Sequence, residues 1–462
     1  LFADVTTNGG DFLAWAGDRS PSSCGFDGIG NDGAGDVINT GSGDIILITD
    51  RVDGDGSTAI FFETTGHFYL VPNDGAFRET FDWNGTVQST HIDFQNGWNY
   101  MAIRRPEDHT GLTIGRYDGM TNSIGTPVVL GNTSDVKVSK DIVTKGPISV
   151  YGSTLEIGAN LTSSSGNGDI VLEGSTSVKA TGADRNLNSG TGDVRLTTDW
   201  LVHNASPNYR LIVNSTGAFT FEPFSTAFSN YGDRLDLAGF FTSISERYTG
   251  TGDAAGLQIN NINNLTGLTF GKEGNTTGFG TYTRWVINGP ISFIGGTHEF
   301  GLSGVLRLQS TAASADIRIT ATGDISVRNN GVLQTNNGDI ILWSDSDADD
   351  SGSIRIDDDV TFNSVNGSTA SNLTGGGNIV LAGGADGTFI DGIPEGYARS
   401  SSGNGVLLGA TSAAHTQMYS GGGAIFVRGQ STNTGGTVND RIGLYQQGRW
   451  TANAGQGLID IS

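Results

Sequence analysis

Cysteine is nearly missing from this chain of 462 residues. Cys24 stands alone, so neither an intramolecular disulfide nor a cysteine-built metal site is available. Nine prolines and no Gly-X-Y period exclude collagen. No apolar run approaches the ~18–20 residues of a membrane-spanning helix. Positive charge is also short: 25 Lys and Arg face 48 Asp and Glu, for a net charge of −23. Nucleic acid needs a basic footprint, and anionic lipid needs a polybasic patch. The sequence therefore predicts neither nucleic-acid binding nor direct membrane insertion. The chain opens at Leu1-Phe2-Ala3-Asp4 without the regions of a signal peptide. It reads as a mature or internal piece of something longer.

Glycine is abundant, with 72 residues, about twice the usual share of roughly 7%. Together with Asn, Asp, Ser and Thr it signals many tight turns between short strands. The glycines fall into a recurring phrase, Gly-Asp followed by alternating apolar residues. It appears at Gly43-Asp44-Ile45-Ile46-Leu47, Gly168-Asp169-Ile170, Gly192-Asp193-Val194 and Gly338-Asp339-Ile340-Ile341-Leu342. Glycine would supply a turn's positive φ, and Asp would bond nearby backbone N–H groups. Triplets such as Val136-Lys137-Val138 and Ile354-Arg355-Ile356 read in-out-in, because a charged residue cannot share the core of its aliphatic neighbours. No helical period is sustained, so the predicted class is all-β.

A larger repeat overlies the small one. Thr64 to Pro72 matches Ser215 to Pro223, Gly111–Arg116 matches Gly267–Lys272, and Gly146–Val150 matches Gly289–Phe293. Each pair lies about 150 residues apart, in the same order. The expected organisation is a partial repeat over 1–57, modules over 58–200 and 209–345, and a Gly-rich tail over 346–462. Phrase spacings of about 23–25 residues suit one coil of a right-handed parallel β-helix. At that spacing about twenty coils are expected. Tandem β-sandwich modules are the alternative. The aromatic segments 61–105 and 219–248 break the pattern and are expected to include excursions folded against the solenoid.

Three groups of residues invite a functional reading. Asp345, Asp347, Asp349 and Asp350 alternate in a loop closed by Gly352, and Asp50, Asp53 and Asp55 follow the Gly43 phrase. Oxygen ligands at alternate positions suit Ca²⁺; a solvated acidic turn is the other reading. Asp357-Asp358-Asp359 is a second acidic run. Trp83, Trp98, Tyr100, Arg104 and Arg105, with Asp108 and His109, would form a sugar-binding surface, unless the aromatics bury the excursion. The six histidines are scattered, with no metalloprotease pair, nucleophile elbow or phosphate loop, so the chain reads as no enzyme. Acidic pairs on adjacent coils leave a polysaccharide lyase or hydrolase as the alternative.

The stretch Leu333-Gln334-Thr335-Asn336-Asn337-Gly338-Asp339-Ile340-Ile341-Leu342-Trp343 resembles the repeat style of giant bacterial surface adhesins, as do Thr7–Trp15 and Gly375–Leu381. That group comprises type IX-secreted gliding adhesins and, more distantly, filamentous-haemagglutinin-like β-helices. The resemblance covers most of 110–200 and 265–385. It implies an extracellular, cell-surface protein of gliding motility or biofilm, contacting surface glycans or abiotic surfaces, neighbouring repeats and secretion machinery. It names no ligand. A polymerising fibre subunit is a further reading.

Overall fold

The computed structural model describes residues 4–15, 26–27, 37–49, 52–53, 60–73, 75–77, 80–83, 90–94, 101–121, 127–202, 209–229, 234–237, 256–281, 284–301, 306–328, 330–366, 374–384, 389–390, 393–394, 396–401, 403–411, 413, 415–432 and 442–462. Contacts divide the chain into unit 1, Leu1–Gly217 with Ala255–Asn260, and unit 2, Ala218–Ala254 with Asn261–Ser462. Among the described residues there is no α-helix, only short 3-10 turns such as Pro106–Asp108 and Ile262–Asn264.

The principal sheet of unit 1 stacks β1 (Phe12–Trp15), β2 (Ile45–Ile48), β3 (His67–Val71), β4 (Gly111–Ile114), β5 (Ile148–Ile157), β6 (Ile170–Ala180) and β7 (Val194–Thr198). All pair parallel. Their inward residues form one column, Phe12, Ile45, Phe68, Leu112, Ile148, Ile170 and Val194. In unit 2 the sheet comprises β8 (Ala218–Glu222), β9 (Gly267–Gly271), β10 (Ile291–Gly295), β11 (Ile317–Ala321), β12 (Ile340–Ser344), β13 (Ile379–Gly383), β14 (Ile425–Val427) and β15 (Ile459–Ile461). The column there runs Phe219, Leu268, Ile291, Ile317, Ile340, Ile379, Ile425 and Ile459. Further parallel sheets close the other sides: five strands from Ile142–Thr144 to Leu257–Asn260 in unit 1, and sheets of seven and six strands in unit 2. Sandwich modules would need antiparallel neighbours. Parallel stacking of successive coils makes each unit a β-solenoid.

The in-out-in triplets behave as their chemistry requires. Val136-Lys137-Val138, Leu155-Glu156-Ile157 and Ile317-Arg318-Ile319 bury both aliphatics and leave the charged residue half-buried. Coils are less uniform than the phrase spacing suggested. Consecutive corners lie 23 or 24 residues apart where the chain is regular, and 39 or 46 apart where loops intervene. The principal sheet accordingly holds seven strands in unit 1 and eight in unit 2 among the described residues, not twenty coils.

The corner explains the Gly-Asp phrase, and for reasons the sequence reading did not give. Gly43, Gly66, Gly168, Gly192, Gly338, Gly377 and Gly423 do not have positive φ. They are glycine because the preceding coil passes directly against them: a Cβ on any of them would meet that coil's backbone closer than 3.0 Å. The Asp bonds the next coil rather than its own loop. Asp11 accepts from the N–H of Asp44, Asp169 from that of Asp193, and Asp316 from that of Asp339, at 2.7–2.8 Å. An inward hydroxyl completes the corner. Thr40, Ser189, Thr335 and Ser420 each donate to the carbonyl of the glycine three residues on (2.5–2.8 Å). That hydroxyl satisfies a carbonyl that would otherwise be buried unpaired.

Most described aromatic residues of the two aromatic segments lie in the core. Phe68, Phe77, Phe81 and Trp83 are buried in unit 1, as are Phe219, Phe221 and Phe228 in unit 2. In unit 2 the rings stack from coil to coil, Phe270 on Phe293 at 5.7 Å between centroids, with Trp285 and Phe279 beside them. Excursions are present as antiparallel strands: Phe81–Trp83 with Thr90–Phe94, and Tyr117–Thr121 with Pro127–Leu130.

One buried device recurs in both units. Asn132 donates its amide to the carbonyl of Tyr151 (3.1 Å) beside left-handed Gly115, and Ser134 Oγ accepts the N–H of Phe77 (3.0 Å). Asn275 donates to the carbonyl of Ile294 (2.9 Å) beside left-handed Gly271, and Thr277 Oγ1 accepts the N–H of Phe228 (2.9 Å). Asn132-Thr133-Ser134 has the spelling of a glycosylation acceptor, yet its asparagine is buried and fully used between coils.

Candidate functional site

The first acidic loop folds as a tight turn directly after β12. Asp345, Ala348 and Asp350 all adopt left-handed φ, at 50°, 57° and 67°. Three such residues within six is costly for L side chains. Backbone bonds hold the turn: Ser346 N–H to the Ala321 carbonyl (3.1 Å) and Ala348 N–H to the Asp345 carbonyl (3.0 Å). Ser344 Oγ donates to the Gly352 carbonyl at 2.8 Å. Gly352 lies so close over Asp345 that a Cβ there would overlap its backbone nitrogen.

This geometry brings Asp345, Asp347 and Asp349 together, with one carboxylate oxygen of each within 4.8 Å of the others. Asp345 is fully buried, the other two exposed. Its Oδ1 accepts the N–H groups of Asp350 (3.1 Å) and Ser351 (3.4 Å). Its Oδ2 is buried and meets no donor among the described residues. Burial raises the Asp345 pKa to about 6; the N–H of Ser351 and Arg399 oppose that rise, and Asp349 adds to it. A buried carboxylate oxygen without a donor is expensive. Three converging carboxylates, one carrying such an oxygen, are the donor set a hard divalent cation takes. Asp350 is not part of this set: its carboxylate pairs with Arg399 at 2.6 Å.

The second acidic run is structural. Asp357 pairs with Arg328 and Arg355 (3.1 and 2.6 Å), Asp358 accepts from Ala410 and Thr411, and Asp359 accepts the N–H of His415. Asp50 and Asp55 lie outside the described residues, as does the side chain of Asp53, whose backbone pairs with Asp27.

The aromatic surface expected around Trp83 does not assemble. Trp83 is a core residue without an exposed face for a sugar. Arg104 is occupied by Glu63 at 2.7 Å and lies over the ring of Phe61 at 3.8 Å. Arg105 is exposed at the start of a 3-10 turn, Asp108 pairs with Lys145, and His109 is buried beside Phe68. Trp98 and Tyr100 lie outside the described residues. Trp83 lies in register with inward Val138, itself beside inward Ile157, so its ring belongs to the solenoid core.

A different surface emerges next to the acidic loop. A groove of 680 Å³ runs over the outer face of β10, β11 and β12 in unit 2, lined among others by Lys272, Glu273, Arg318, Trp343, Ser346 and Asp347. Its floor is rigid. Arg318 holds its guanidinium 5.3 Å above the Trp343 ring, and the indole Nε1–H donates to the Gly384 carbonyl at 3.0 Å. Ile341, Trp343, Val380 and Ala382 form an apolar layer under Ile393 and Phe426. The continuous apolar run Ile340-Ile341-Leu342-Trp343 was the signal for this second buried face, since a strand covered on both sides loses its alternation. Lys272 and Arg318 put two cations into this groove of an acidic protein, and Asp347 belongs to both groove and carboxylate cluster. No known protein family, curated protein or solved structure matches this chain.

Proposed function

We propose that this chain is a non-catalytic adhesive segment of a secreted, cell-surface β-solenoid protein, and that it attaches through the unit 2 groove to acidic glycans with the help of a divalent cation, Ca²⁺ being the best match. The observation that carries the reading is Asp347, which lines the groove and completes the carboxylate cluster. A divalent cation held by Asp345, Asp347 and Asp349 would offset two of their three negative charges and present open coordination to sugar hydroxyls or a uronate carboxylate. Lys272 and Arg318 would meet the glycan's own negative charge. Each coil rests on its neighbours, so such a protein extends by adding coils, which suits a spacer that carries binding surfaces.

Calorimetric titration with oligouronates and neutral oligosaccharides tests this, in Ca²⁺ and in EDTA. Binding of the acidic glycan should weaken at least about tenfold in EDTA, and about as much in Asp347→Asn or Arg318→Ala. Equal affinity in EDTA and in both variants would remove the groove. Release of shortened or unsaturated products would replace the adhesive reading with a β-helix polysaccharide lyase or hydrolase.

A further inference from the structure

The groove of unit 2 follows the stacking direction of the coils. Ile294, Thr320 and Trp343, all lining it, stand in register on β10, β11 and β12, and Lys272 enters from the end of β9. Four successive coils therefore build the floor, about 14 Å long at ~4.8 Å per coil. Its one aromatic ring is closed to a ligand: Trp343 is buried, and the Arg318 guanidinium lies 5.3 Å above it.

Exposed rings stand one coil beyond each end instead. After β8, the segment Phe224–Thr226 runs beside the loop that carries Lys272 and Asn275 into the groove. Lys272 Nζ donates to the Phe224 carbonyl (2.8 Å), and Thr276 N–H to the Thr226 carbonyl (2.7 Å). After β13, Gly383 bridges Gly396, and a Cβ on Gly383 would come within 2.7 Å of the Tyr397 carbonyl oxygen. Gly384 accepts the Trp343 indole N–H, and Arg399, two residues past Tyr397, pairs with Asp350 of the acidic loop (2.6 Å). Phe224 is 44% exposed and Tyr397 37%. No other Phe, Tyr or Trp among the described residues of unit 2 is exposed, so both such rings of the unit fall beside this groove.

We propose that Phe224 and Tyr397 are end subsites, stacking on the sugar rings of one acidic polysaccharide chain laid along the coils from β8 to β13. This rests on the groove as a glycan site and adds that the ligand is a stretch of a long chain. Sugar rings have an apolar face as well as hydroxyls, and an aromatic ring is the side chain that meets it. The carboxylate cluster, Lys272 and Arg318 serve the charged groups in the middle, and nothing on the floor serves that apolar face. The register carries β8 through to β13 in five steps, which sets the two rings roughly 24 Å apart at ~4.8 Å each. A disaccharide reaches the charged centre alone. Only a longer oligomer meets both rings.

Calorimetric titration of the whole chain in Ca²⁺ with a uronate disaccharide and octasaccharide tests this. The parent should bind the octasaccharide at least about tenfold more tightly. Phe224→Ala and Tyr397→Ala, both at exposed positions, should each weaken the octasaccharide by about threefold or more, and together by about tenfold. Affinity for the disaccharide and for Ca²⁺ alone should not move, and Phe224→Tyr, which keeps a ring, should bind like the parent. A parent that binds neither oligomer would remove the glycan reading and this inference with it. If the parent binds both oligomers alike, or if the alanine variants match it on the octasaccharide or weaken both oligomers equally, the groove stays a glycan site and the end subsites are overturned.

Discussion

Asp345 is buried, and its Oδ2 meets no donor among the described residues. Its carboxyl has a pKa near 6, above the ordinary 3.8. The folded chain therefore holds a proton between those values that the unfolded chain has released. Stability from this group falls as pH rises through about 4 to 6 and stays reduced above that. Three buried histidines act in the opposite sense. His67, His109 and His298 are pushed down to about 4 by burial, so stability is lost as pH falls from about 6.5 towards 4. His298 shows why: Nδ1 accepts the N–H of Phe279 and Nε2 is bonded to the Thr320 carbonyl, leaving no room for a second proton. The Asp345 effect must be read against that background, as a difference from Asp345→Asn. In EDTA at pH 7 the variant should melt about 2–4 °C higher than the parent, with the gap closing towards pH 4. Added Ca²⁺ should raise the melting temperature of the parent alone, and its affinity should fall below pH 6 as the carboxyl protonates. Identical melting curves for the two proteins at every pH and Ca²⁺ concentration would show that this oxygen has no cation to meet.

At the scale of the strand and its corner, the coil is specified by three chemical demands: no side chain where backbones touch, an acceptor for the next coil's N–H, and a donor for the corner carbonyl. Gly192→Val violates the first, since its side chain would press on the Gly168 backbone. A cost of roughly 3 kcal/mol or more is expected in urea unfolding, because backbone on both sides cannot yield. Asp169→Ala violates only the second, at an exposed hydrogen bond, and should cost about 1 kcal/mol. A loss below about 1 kcal/mol for Gly192→Val would refute the close-approach account. Much of this was legible in the sequence. The Gly-Asp phrase marks the corners at Gly10, Gly43, Gly168, Gly192 and Gly338, and Leu155-Glu156-Ile157 faces the way its polarity requires. Its cause was not legible, because a glycine needed for left-handed φ and one needed for close approach are spelt alike. The hydroxyl three residues before the glycine went unread, since Ser and Thr are common in any loop. The acidic cluster at Asp345 could be picked out from spacing, but Lys272, Arg318 and Trp343 come from three coils and share no local pattern. Trp83 misled because its inward place is set by register with Val138, a partner strand far away in the sequence.

Charge acts on the molecule as a whole. Several basic residues are committed to acids on neighbouring strands or coils, as in Arg104–Glu63 (2.7 Å), Lys179–Glu156 (2.6 Å) and Arg210–Asp184 (2.7 Å). Such half-exposed pairs add little stability individually. They remove cations from circulation, so the surplus that makes up the net charge of −23 faces solvent. Like charges this numerous repel one another across the folded surface. Salt shortens the reach of that repulsion, to about 10 Å at 0.1 M and about 3 Å at 1 M. It leaves burial of aliphatic surface and backbone pairing between coils intact. The melting temperature in EDTA should therefore rise by about 2–4 °C between low and high NaCl. A melting temperature that falls as NaCl rises would mean that the ion pairs between coils contribute more than the repulsion costs.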